Sequence, residues 1–153
     1  MKKLINDRSG ELHLVAVFLF VALLAIALFI TEYLRVFDLR QHLDDELSRA
    51  VNLGVKHAMY DSYMWDREEQ LDEGKAIASF YEYLHKTLGL NPALQKIEDG
   101  EIVYSLVIDN INVSGANARM GVSATAFADA AFFTFGRQWE IRVNVLSRNI
   151  PLY

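Results

Sequence analysis

The hydrophobic pattern divides the chain into three stretches with different periods. From Leu12 to Thr31 no residue is formally charged when His13 is neutral, and Leu14 to Ile30 is an unbroken run of Leu, Val, Ile, Phe and Ala. As a helix, Leu12–Thr31 would be about 30 Å long, the thickness of a bilayer's hydrocarbon core. Each Leu, Ile, Val or Phe near the centre favours insertion by roughly 0.3 to 0.6 kcal/mol. Leu14, Val17, Phe18, Val21, Leu24 and Leu28 are therefore expected to face lipid. A core helix of a soluble protein rarely lacks a polar face over five turns. A cleaved secretory signal also fits poorly, because Ala25-Ile26-Ala27 lies inside the run and "LFITEYLRVF" continues it without a processing loop.

The second stretch is amphipathic. Val36, Leu39, Leu43, Leu47, Ala50 and Val51 recur at three- and four-residue spacing, with Arg35, Asp38, Arg40, Asp45, Glu46 and Arg49 around them. That is one helical face. One helix is expected from about Leu12 to His57, apolar all round in its first half and one-sided in its second. The stripe Val36, Leu39, Leu43, Leu47 and Ala50 is a packing seam that needs a partner, because such helices draw most of their stability from tertiary contacts. "YDSYMWDREEQLDEG", Tyr60 to Gly74, reads as a loop or short helix with a solvated acidic cluster. Lys75 to Leu90 is helical again, with Ile77, Phe80, Leu84 and Leu88 on one side and Gly89 as its end signal. Asn91-Pro92 suggests one further helical turn.

From Gly100 the period changes to two. Ile102, Tyr104, Leu106 and Ile108 alternate with Val103, Ser105, Val107 and Asp109. Trp139, Ile141, Val143 and Val145 alternate with Glu140, Arg142 and Asn144. With "MGVSATAFADAAFFTFG" between them, about three antiparallel strands are expected, joined by turns at Ser114-Gly115 and near Gly136. The fold class is α+β: a long N-terminal helix, a second helix and a C-terminal sheet that both helices can cover. The expected organisation is a basic leader or tail (1–10), the helix with its membrane span (11–59, span about 12–31) and a small extracytoplasmic head (60–153).

Composition narrows the chemistry. With 153 residues and a net charge of -5, the chain masses nothing basic to track phosphates, so nucleic acid is not an expected partner. The lipid bilayer is. There is no cysteine, hence no disulfide and no thiolate site. His13, His42, His57 and His85 form no metal motif; His42 and Glu46 share a helix face but lack a third ligand. No phosphate loop, nucleophile elbow or zinc signature occurs. Neither a catalytic residue nor a metal or cofactor is expected, and the chain is not read as an enzyme. Lys2, Lys3 and Arg8 precede the run and Arg35 and Arg40 follow it, which places the N-terminus inside and the head outside.

A basic head ending in "RSG", then "ELHLVAVFLFVALLAIALFI", an "LRQHLDDELSRAV" continuation and a run of strands together resemble the type IV pilin superfamily. Within it the layout is similar to TadE-like pseudopilins of tight-adherence (Flp-type) pilus systems. The resemblance is one of layout across most of the chain. It implies processing between Gly10 and Glu11 on the cytoplasmic side, a single-pass protein of the bacterial cytoplasmic membrane, and assembly with other pilin-like subunits or platform proteins into a pilus or secretion machine. The sequence departs from pilins at the fifth position after Gly10, where Val15 stands in place of Glu. The same features also suit a single-pass protein that does not polymerise and whose external head binds a partner.

Overall fold

The computed structural model describes the backbone of residues 5–66, 71–115, 119–132 and 138–147, and the side chains of the same ranges except 5–12 and 60–66. The first element, α1, is one helix from Ile5 to Asp66. No proline interrupts it, and it runs on through the Tyr60–Asp66 stretch that patterning left as a loop or short helix. The chain forms two compact units, residues 1–35 and 36–153. The amphipathic half of α1 thus falls in the same unit as the head.

Between Leu14 and Ile30 α1 is apolar on every side. Its one hydroxyl at the end of the run, on Thr31, donates to the Ala27 carbonyl at 2.9 Å. That bond satisfies the polar group inside the helix's own ladder, as an apolar surrounding requires.

In the second unit, Leu43, Leu47, Ala50, Val51, Val55 and Ala58 of α1 enter the core. They meet α2, Glu73–Lys86. The start of α2 is fixed by Asp72, whose Oδ1 accepts from the Lys75 N–H at 3.1 Å, satisfying one of the helix's orphan donors. Ala76, Phe80 and Leu84 are its buried face. Gly89, with φ of 68°, reverses the chain after the helix, and Leu90 N–H bonds back to the Leu84 carbonyl at 3.1 Å. The two helices touch backbone to backbone: a Cβ on Gly54 would lie 2.8 Å from the Ala76 carbonyl oxygen.

Four strands follow: β1 (Gln95–Glu98), β2 (Glu101–Ser114), β3 (Arg119–Asp129) and β4 (Gln138–Leu146). They form an antiparallel meander in the order β1-β2-β3-β4. β1 was not expected. The Asn91 side chain, read as a helix cap, instead closes a turn, with its Oδ1 accepting from the N–H groups of Ala93 and Gln95 at 2.9 Å each. Leu94 then takes φ of 56°, and the chain leaves extended. Asp99 and Gly100, at φ of 52° and 85°, link the paired residues Glu98 and Glu101. Two successive positive φ values are the type I′ hairpin's requirement, which Asp-Gly meets at low cost.

Alternation then builds the core face. Tyr104 and Leu106 of β2, Met120, Val122, Ala124, Ala126 and Ala128 of β3, and Ile141, Val143 and Val145 of β4 are buried. A bulge at Asp109, between the pairs Ile108–Ala124 and Asn110–Ser123, resets the period. Ile111 and Val113 consequently pack against the same core as Ile108, where strict alternation would send them outward. Ile102, expected on the core side, is exposed near the hairpin tip, where β2 carries a second bulge at Val103, between the pairs Lys96–Tyr104 and Ile97–Ile102.

Candidate functional site

The features that carry the sequence-based expectations all lie on α1. One segment of this helix is long and apolar enough to cross a membrane, and none of its most apolar window is buried. Leu14, Val17, Phe18, Val21 and Leu24 are all at least half exposed, Phe18 at 79%. Leu28 is half-buried. A continuous apolar surface of this size on every side of a helix is what a membrane or a protein assembly covers. The backbone of Gly10 and Glu11 belongs to α1; the Glu11 side chain lies outside the described residues.

The predicted seam is a packing surface, and its partner is the head itself. Leu43, Leu47 and Ala50 are 0% exposed. Val36 and Leu39 are partly buried against the same core. Leu43 and Leu47 therefore have no surface left for another subunit in this fold. Next to this stripe a polar network ties α1 to α2. The Tyr83 hydroxyl donates to Glu46 Oε2 at 2.8 Å, and Arg49 Nη1 donates to Glu46 Oε1 at 2.7 Å. Glu46, the residue paired with His42 on the sequence, is thus engaged in holding two helices together. Burial, then the bond to Glu46, raises the Tyr83 phenol above its ordinary range. Burial, then the nearby charges of Glu98 and Glu46, pushes Tyr104 up to about 12. Both phenols are kept neutral as packing groups.

Sequence reasoning passed over Glu32, which is 1% exposed. Arg35 Nη2 lies 3.6 Å from its Oε1, one helical turn away. A carboxylate taken out of water needs such partners, because desolvation of an isolated charge costs several kcal/mol.

The outer face of the sheet holds a shallow depression among Val107, Asp109, Thr125, Phe127, Glu140 and Arg142. Its polar groups are mutually satisfied. Thr125 Oγ1 donates to Asp109 Oδ2 at 2.6 Å. Arg142 donates to Glu140 Oε1 through Nε at 2.8 Å and Nη2 at 2.6 Å, which holds the guanidinium even more firmly protonated. Among the described residues, no group of three His, Cys, Asp or Glu side chains could hold a metal ion. His85 sits with Nδ1 3.0 Å from the Leu90 carbonyl at the end of α2, an interaction that serves the turn. Comparisons with protein-family models, with curated proteins and with solved structures returned no match.

Proposed function

We propose that this chain is a pilin-like structural subunit, of the TadE-like kind, of a bacterial pilus or related secretion machine. In this reading the apolar half of α1 anchors it in the cytoplasmic membrane, with the N-terminus inside and the head outside. Assembly moves the apolar helices laterally out of the bilayer and packs them against those of other subunits, while the heads form the surface. One observation carries the reading: an apolar helical surface with none of its most apolar window buried, on a chain whose head completes its core with residues from Leu43 onward. The contact surface for assembly is then Leu14 to Ile30, and not the seam at Leu43 and Leu47.

A second reading draws on the complete burial of Leu43, Leu47 and Ala50. If the stripe serves only its own head, a single-pass anchor carrying a partner-binding head explains the same chain without polymerisation. The absence of cysteine gives a clean test. Phe18→Cys and Leu24→Cys are introduced separately, cells are oxidised, and sheared surface material is compared with membranes. Disulfide-linked oligomers in the sheared fraction, from a protein whose mass begins at Glu11, support the subunit reading. A protein that begins at Met1, stays in the membrane and yields only monomer overturns it in favour of the anchor.

A further inference from the structure

The two edges of the sheet are built differently. β1 is four residues long and lies against a bulge of β2 at Val103, and its Lys96 Nζ is tied to the Leu88 carbonyl at 2.8 Å. Beyond β1, the uncovered part of β2 carries the Asp109 bulge. Short strands, lysines and bulges are the devices that keep sheet edges from pairing. β4 is not short, carries no lysine and has no bulge; its two charges, on Glu140 and Arg142, are of opposite sign. It is nine residues, "QWEIRVNVL", without Pro, Gly or Lys. Its register against β3 is unbroken from Gln138 to Leu146. Among the described residues no strand pairs with its other side.

The direction of its free hydrogen-bonding groups follows from one bond. Ser147 N–H donates to the Met120 carbonyl at 2.8 Å, so odd-numbered positions turn their backbone groups toward β3. Along an antiparallel strand these directions alternate. Gln138, Glu140, Arg142 and Asn144 therefore direct N–H and C=O outward from the sheet. Those residues also carry the outer face's charges: Glu140 and Arg142, both exposed.

We propose that the outer edge of β4 pairs with β4 of a second copy of this chain, antiparallel and centred on Ile141, joining two sheets into one. Charge complementarity selects the register. Centred on Ile141, Glu140 faces Arg142 of the second copy and Arg142 faces its Glu140, while Gln138 faces Asn144. All four are positions whose backbone groups point outward, so the ladder and the charges agree. Centring on Arg142 would oppose two guanidinium groups, and centring on Glu140 two carboxylates; like charges directly opposite are unfavourable. On the core side the same register sets Trp139, 39% exposed, across from Val143 of the second copy. This interface uses the head alone and is independent of the pilin-like reading.

The test uses the full-length chain in detergent. Glu140→Cys and Arg142→Cys variants, carried on differently tagged copies, are mixed and mildly oxidised. Opposed residues in a hydrogen-bonded pair sit about 5.5 Å apart at Cα, within disulfide range. The expected result is a mixed disulfide several-fold more abundant than either self-coupled product. Equal yields, a dominant Arg142→Cys self-coupled product or no disulfide overturns the register. On the unaltered chain, the Glu140 and Arg142 amides are expected to gain protection from hydrogen exchange as protein concentration rises. Protection that does not change with concentration overturns the pairing itself. Finally, Glu140→Arg should weaken dimerisation, and adding Arg142→Glu should restore it; a double variant as weak as the single would overturn the charge pairing. Helix-mediated association reads out separately, through Phe18→Cys and Leu24→Cys.

Discussion

The two halves of α1 share a backbone and differ in what surrounds them. Residues 14–30 are apolar on all sides and largely exposed; residues 36–58 are apolar on one side, which is buried from Leu43 onward and partly buried at Val36 and Leu39. A stripe about 100° wide suits a helix lying on a sheet with water behind it. A helix apolar all round has no face for water and must have an apolar surrounding. Helix formation is common to both halves; in the second, neighbouring side chains of the head cover the apolar stripe, whereas residues 14–30 keep most of their apolar side chains exposed.

The sharpest break in that comparison is in the core. Phe80→Ala removes a fully buried ring from α2 and should cost about 3–5 kcal/mol, measured by denaturant unfolding of the head, without changing membrane fractionation. Leu24→Arg should do the opposite. It places a charge mid-run at a cost of about 2.5–3.5 kcal/mol on insertion scales, so the variant should shift out of the membrane fraction while the head's unfolding midpoint stays put. Unchanged fractionation would remove the basis for a central span.

Gly54→Ala sharpens the comparison because helix propensity and packing pull in opposite directions. Alanine is favoured over glycine in a helix interior by about 1 kcal/mol. The new methyl would nonetheless meet the Ala76 carbonyl oxygen at 2.8 Å, and overpacking of this kind costs about 1–3 kcal/mol. Net destabilisation is the expected outcome, read as a lower unfolding midpoint. A more stable variant would show that the α1–α2 contact yields freely.

The last comparison concerns pH. Tyr104 is held neutral in the folded head, with its pKa raised from 10 to about 12. A raised folded pKa contributes stability that is complete below the unfolded value and lost as pH climbs through the folded one. The head should therefore be insensitive to this group below pH 10 and weaken between pH 10 and about 12. Tyr104→Phe should flatten that alkaline decline, followed by thermal unfolding across the range. The apolar half of α1 offers no such titration.

Much of this architecture is written in local pattern. The run at Leu14–Ile30, the stripe from Val36 to Val51, the second helix and the alternations at Tyr104–Ile108 and Ile141–Val145 each follow from a period that the backbone imposes. Asp99-Gly100 was a legible hairpin signal, and its strand partner β1 was overlooked because Asn91-Pro92 resembles a helix start. The Asn91 side chain had two uses open to it, and only the pairing of Gln95 with Ser105 decided for the turn.

By itself, then, the sequence determined where the helices and most strands lie and which faces are apolar, because periodicity and turn chemistry act over a few residues. The tertiary structure alone decided what those faces meet. It assigned Leu43, Leu47 and Ala50 to their own head, inserted a bulge at Asp109 that returned Ile111 and Val113 to the core, and left β4 at the edge of the sheet. Each of these depends on residues distant in the chain competing for the same space, and no local period encodes that competition.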